Sequence, residues 1–291
     1  MPKDEDFHFA TRAAEKLIGD LGINALPIDP FAIASGRKIE IRPKPSSSAG
    51  VSGMLIRVGN FFAIGYATHI DNIPFQRFSI SHELGHYFLP GHIDAVLGKS
   101  NVHESHAGFT SSNSYEVEAD HFAAGFLMPS HLFLPILRRT GTGLAAIESL
   151  ADACNTSLLA TAIRVIDCTG DPMAIVVSTA NKIDYCCMSD AFKEIEGITW
   201  LKKGQPVPRT SATFQLNLDS NKVQRGARTQ GTANLQEWFS CDRNIEVTED
   251  VVGLGSYGKT LTVLSDIELP DEEVEKEEED LIESWTPRFR H

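Results

Sequence analysis

Long apolar runs, a basic surplus and a cysteine framework are all missing from this chain of 291 residues. No stretch reaches the roughly 20 apolar residues that cross a bilayer, and Met1-Pro2-Lys3-Asp4-Glu5-Asp6 has neither the basic nor the apolar region of a secretion signal. A cytoplasmic protein without a membrane partner is therefore expected. The cysteines at 154, 168, 186, 187 and 241 are odd in number and follow no disulfide spacing, as reduced thiols do. Cys186-Cys187 invites a redox role, but idle buried thiols are the simpler reading. A net charge of −13 opposes free-standing nucleic-acid binding. More than half of that excess lies in Asp271 to Asp280, where eight acids meet one lysine. Such a run reads as a solvated linker, with a basic protein partner as the functional alternative. No internal repeat is present. Gly253 to Gly258 has loose phosphate-loop spacing without the βαβ unit that such a loop needs.

What is present is the segment Ser81-His82-Glu83-Leu84-Gly85-His86. At 100° per helical residue, positions four apart differ by about 40°, so His82 and His86 project from one face and can share a metal. Zn²⁺ takes neutral imidazole nitrogens and, in catalytic sites, keeps one position open to water. Glu83 lies about 60° from His86, beside the metal position, where a general base belongs. Asn72 as cap, Pro74 in the first turn and the Pro90-Gly91 stop place the pair in the middle of a helix.

A third protein ligand is needed, and two residues compete. Residues 114–128 read as a second helix ended by Pro129. On its wheel Glu116, Ala119, Asp120, Ala123 and Leu127 form one stripe, with Glu118 and Gly125 on the other side. A carboxylate on a small-residue face is costly to bury unless it meets a cation, which favours Glu116. Asp120, one turn on, is placed to accept the free N–H of a ligating histidine and fix its tautomer. His92 is the competitor: it has the spacing of the third histidine in the metzincin motif, although Leu89 stands where that motif wants glycine. An exposed loop histidine is the plainer reading of His92, and core packing that of Met128.

Around these helices the pattern is mixed. Ala10 to Leu21 has helical spacing, and Asp29-Pro30 opens a short helix towards Ser35. Residues 39–42, 53–57 and 61–66 read as strands of a small sheet, and either of the last two is expected to be an edge strand that holds extended substrate. Residues 45–50 and 91–114 read as loops. The second lies between the metal helices, so His103, His106 or Tyr115 is offered for the oxyanion, with none preferred. Residues 144–166 look like a helix-turn-helix, yet Arg164 is the only base on the second helix, and DNA binding is disfavoured. After Asp167 strands are expected at 174–178, 214–218, 245–247 and 260–264, with helical turns at 191–193 and 235–239.

Three blocks in order, Gln76-Arg77-Phe78-x-x-x-His82-Glu83-Leu84-Gly85-His86, Glu116-x-Glu118-Ala119-Asp120-x-Phe122-Ala123 and Leu127-Met128-Pro129, resemble the ImmA/IrrE family of zinc metallopeptidases. Weaker similarity covers Leu26-Pro27-Ile28-Asp29-Pro30 and Gly53-Met54-Leu55. The resemblance implies His82, His86 and Glu116 as zinc ligands and Glu83 as base. It also implies a substrate, a helix-turn-helix transcriptional repressor cut to switch on stress or mobile-element genes. The expected fold is α+β: a zincin-like helical catalytic domain with a small sheet over 1–130, helix-turn-helix-like helices over 131–167, a C-terminal α/β regulatory or docking domain over 168–269, and an acidic tail over 270–291. The expected activity is zinc endopeptidase. The alternative is a non-cleaving regulator with a peptidase-like fold that binds a repressor or DNA.

Overall fold

The computed structural model describes residues 4–44, 50–98, 100–106, 113–241 and 244–267, with side chains from residue 8 onward. The acidic tail, residues 45–49 of the serine-rich loop and residues 107–112 between the metal helices lie outside the described residues. The fold is α+β and divides into two compact units, residues 1–169 and 170–291.

The first unit opens with α1 (Asp4–Asp20) and α2 (Pro30–Gly36), the latter capped by Asp29, whose carboxylate accepts from the N–H groups of Phe31 and Ala32. A sheet of β1 (Glu40–Pro43), β2 (Val51–Val58), β3 (Phe61–Tyr66) and β4 (Val102–His106) follows in the order β1-β3-β2-β4. The expected substrate-holding edge is therefore corrected. Both 53–57 and 61–66 are interior strands, and the edges are β1 and β4. The residues read as one long loop from 91 to 114 contain α4 (His92–Leu97) and β4. Val102-His103-Glu104-Ser105-His106 is too polar to read as a strand, yet its pairing with β2 places His103 opposite Leu55 and Ser105 opposite Gly53.

Helix α3 (Ile73–Phe88) carries the histidine motif, and Asn72 caps it by accepting from Phe75 N–H at 3.0 Å. Helix α5 (Ser114–Leu127) crosses it closely. A Cβ on Gly85 would lie 3.2 Å from the Ala119 Cα, and one on Gly125 would lie 2.8 Å from the Thr11 carbonyl oxygen of α1. Small residues thus bring the two metal helices together and seat α5 on α1.

Arg77 anchors α3 from behind. Its buried guanidinium donates to the carbonyls of Ile28 at 2.5 Å, Asn155 at 3.1 Å and Cys154 at 3.3 Å. Arg77→Ala strands those carbonyls and opens a cavity, so a loss of about 3–5 kcal/mol is expected. For a unit of this size that lowers the melting temperature by about 10 °C, read by circular dichroism on the metal-free protein.

Helices α6 (Ser130–Thr140), α7 (Gly143–Cys154) and α8 (Leu158–Cys168) complete the first unit. Arg164, the one base of the helix-turn-helix-like pair, is buried. It donates to Glu15 at 2.6 Å and to the Met128 carbonyl at 3.2 Å, which removes it from any DNA-reading face. Met128 is buried and accepts from the Thr156 hydroxyl, the packing role read for it.

The second unit is a five-stranded antiparallel sheet in the order β6-β5-β9-β8-β7: β5 (Ala174–Thr179), β6 (Lys182–Met188), β7 (Arg228–Asn234), β8 (Glu246–Gly253) and β9 (Lys259–Ser265). Four short helices, α9 (Asp190–Lys193), α10 (Ala212–Asn217), α11 (Ser220–Gln224) and α12 (Leu235–Phe239), lie between the strands in sequence. The strand expected at 214–218 is helix α10. Ser211 caps it by accepting from Phe214 N–H, and buried Glu249 accepts from the N–H groups of Ala212 and Thr213, which outweighs the alternation of Phe214, Leu216 and Leu218. Cys186 sits in β6, and burial pushes its thiol well above the ordinary range, which is the behaviour of an idle thiol.

Candidate metal centre and catalytic carboxylate

α3 presents His82 and His86 with their Nε2 atoms 3.1 Å apart. α5 places the Glu116 carboxylate against both: Oε2 is 3.2 Å from His82 Nε2, and Oε1 is 3.5 Å from His86 Nε2. These three side chains form the one group of potential metal ligands among the described residues whose donor atoms all converge, within 4.8 Å of one another. Donors about 2.0–2.1 Å from a tetrahedral zinc stand roughly 3.3 Å apart, so the observed separations fit such an ion without rearrangement. The donor chemistry fits as well, with two imidazoles and one carboxylate leaving a position open.

The electrostatics tell the same story. Burial alone would lower His82, but Asp120 and Glu116 hydrogen bonds raise it to about 10. His86, with desolvation dominant, falls to about 3. Glu116 resists the upward push of burial because His103, His82 and His86 hold it far below the usual carboxylate range. The two rings and Glu116 thus surround a position that favours positive charge.

Asp120 lies where the wheel put it, with Oδ1 2.8 Å from His82 Nδ1. It accepts that N–H, which would leave Nε2 free to hold a metal. His92 is not among the converging ligands, and it is not the exposed loop residue expected either. It is 1% exposed at the start of α4, with its Nδ1 3.2 Å from Nδ1 of His86. Glu118, assigned by the wheel to the far side of α5, has Oε2 3.1 Å from His92 Nε2. α4 brings His92 round to the flank that Glu118 faces, a tertiary contact that no helical wheel contains. Of the residues offered for the oxyanion, His103 reaches the centre. Its Nε2 is 3.0 Å from Glu116 Oε1, near enough for an ion pair but not aligned as a hydrogen bond. His106 is exposed on β4, and the ring of Tyr115 packs edge-on against that of His92.

Glu83 is fully buried, and neither carboxylate oxygen has a hydrogen-bond partner among the described residues. Desolvation raises its pKa against the pull of His82, the nearby Ser105 hydroxyl and His103. An orphaned, proton-avid carboxylate beside a metal pocket is suited to take a proton from water. Gly53 of β2 makes room for it, since a Cβ there would come within 2.5 Å of Glu83 Oε1. The Gly53-Met54-Leu55 strand is legible from sequence, but the need for glycine within it is not. Gly53→Ala is expected to push the carboxylate aside and lower kcat by about 10²-fold. Bound metal, measured by elemental analysis, should remain at the wild-type level.

A motif helix faced by an acidic helix over a small sheet thus sets converging imidazoles and a carboxylate that could hold a metal beside a second, buried carboxylate. Residues 64–165 match the family model described as Peptidase_M78, IrrE N-terminal-like domain, so this stretch of the chain is similar to the ImmA/IrrE-type metallopeptidases. The radiation response metalloprotease IrrE of Deinococcus radiodurans is 28% identical over 107 residues, covering 37% of this chain and 32% of that protein. The chain thus matches about a third of its curated relative's length. A solved Mycobacterium tuberculosis transcriptional regulator superposes with a TM-score of 0.56 at 14% identity, covering 89% of this chain and 76% of that one. That likeness is one of fold. No helix among the described residues is long and apolar enough to cross a membrane.

Proposed function

We propose that this chain is a zinc-dependent endopeptidase whose substrate is a helix-turn-helix transcriptional repressor. The convergence of His82 Nε2, His86 Nε2 and Glu116 beside the buried, unpaired Glu83 carries the reading. His82, His86 and Glu116 would hold the ion, and Asp120 orients His82. Zinc, when bound, supplies Lewis-acid polarisation of the scissile carbonyl and acidifies the attacking water. Glu83 accepts the proton of that water as the oxygen adds to the carbonyl carbon. It then returns the proton to the departing amine as the C–N bond breaks. Edge strand β4, which carries His103 into the centre, is the surface on which an extended substrate backbone pairs. Such pairing reads main chain, so an unfolded or strand-like linker of the repressor is the segment cut.

The non-cleaving alternative draws on the transcriptional regulator of similar fold. The internal ion pair of Arg164 weighs against its DNA-binding form. Incubation of the zinc-loaded chain with the helix-turn-helix protein encoded beside it, with and without a chelator, distinguishes the two readings by mass spectrometry. Chelator-sensitive fragments support the peptidase. An intact substrate that co-elutes with the chain supports the binding module.

A further inference from the structure

His86 is gripped from behind as well as from the front. Its Nδ1 meets His92 Nδ1 at 3.2 Å, and His92 Nε2 meets Glu118 Oε2 at 3.1 Å, with both rings buried. Two neutral imidazoles joined through their Nδ1 atoms leave two choices, because one must donate and the other accept. If His92 donated, its Nε2 lone pair would face the Glu118 carboxylate, and the His86 proton would lie on Nε2, aimed into the metal pocket. If His86 donates, His92 carries its proton on Nε2 and donates it in a hydrogen bond to Glu118, so every donor meets an acceptor. A carboxylate that can only accept therefore fixes the polarity of the whole chain.

We propose that Glu118 and His92 are positioning residues that lock His86 in the Nδ1–H tautomer, leaving its Nε2 lone pair free for the metal. The inference rests on the reading of His82, His86 and Glu116 as a zinc site. Each ligating imidazole is then tied to an acid of α5: His82 directly to Asp120 at 2.8 Å, and His86 to Glu118 through an inserted ring. The insertion follows from the geometry of α3. His82 and His86 differ by a full turn, so one acidic helix does not reach both Nδ1 atoms, and α4 supplies the missing length. Glu116, Glu118 and Asp120 thus divide three tasks within a span shorter than two turns.

The test uses the full chain in two measurements. Zinc affinity is measured by competition with a chelating dye for the wild type, His92→Leu and Glu118→Gln. Weakening of about 10–100-fold is expected for His92→Leu, and less for Glu118→Gln, whose amide oxygen still accepts. Nitrogen-15 spectra of labelled histidines in the zinc-loaded wild type are expected to show the His86 proton on Nδ1 and the His92 proton on Nε2. Affinities within twofold of a zinc-binding wild type, or a His92 proton on Nδ1, overturn the relay while leaving the zinc site standing. A wild type that binds no zinc removes both. Should His92→Leu fail to fold, Glu118→Gln and the wild-type spectra decide.

Discussion

Glu83→Gln is expected to slow peptide hydrolysis by about 10²–10⁴-fold, the range that a positioned general base contributes, while zinc stays bound. The side chain keeps its shape, so the position against Gly53 is unchanged. Glutamine has no lone pair basic enough to take a proton from water at neutral pH. The same substitution is expected to stabilise the metal-free protein. Glu83 is fully buried and unpaired, and desolvation raises its pKa above the unfolded value. A carboxyl whose folded pKa is raised destabilises the fold once pH exceeds the unfolded value, so a neutral amide relieves that cost. Gain of roughly 1 kcal/mol or more together with loss of activity is the signature of a strained functional carboxylate. Lost activity with unchanged or lower stability would mean instead that Glu83 helps hold the fold. Initial rates on a quenched peptide and thermal melts of the two metal-free proteins measure the pair.

The centre was legible in sequence wherever one helix decides the geometry. His82 and His86 follow from a four-residue spacing, and Glu116 and Asp120 from the small-residue stripe that lets α5 approach α3. Legibility failed where an element from elsewhere completes the site. β4 is nearly all polar, and only its pairing with β2 makes it a strand, so the sheet edge was misplaced to interior strands. His92 and Glu118 meet through α4, a six-residue helix whose Gly91 N-cap makes no side-chain hydrogen bond and gives no sequence signal. β7, with the sequence Arg-Thr-Gln-Gly-Thr-Ala-Asn, lacks apolar alternation because it is an edge strand, and α10 depends on Glu249, more than thirty residues away. Periodicity reports local faces. It is silent about partners that only the tertiary fold supplies.

Glu116→Ala is expected to weaken zinc binding by about three orders of magnitude, more than any change at His92. Removing one partner of a buried charged set costs about 3–5 kcal/mol, and each 1.4 kcal/mol is tenfold in affinity. Glu116 touches both Nε2 atoms that face the metal position, whereas His92 reaches only the rear of His86. If His92→Leu alone released zinc, the ligand set would have to be redrawn around His92. The same residues make binding pH-dependent, and the sign follows from His82. Its pKa, raised to about 10 by Asp120 and Glu116 against desolvation, keeps a proton on the metal-free site across neutral pH. Zinc must displace that proton, and falling pH favours the protonated, metal-free form. Apparent affinity is therefore expected to rise about tenfold per pH unit between about pH 6 and 8, with about one proton released per ion bound. The rise levels off only as pH approaches 10. In Glu116→Ala one of the groups that hold the proton is gone, so His82 titrates lower and the slope flattens earlier. Calorimetric titration in buffers of different ionisation enthalpy counts the protons directly, and a wild-type affinity independent of pH would mean that the metal-free His82 holds no proton for zinc to displace.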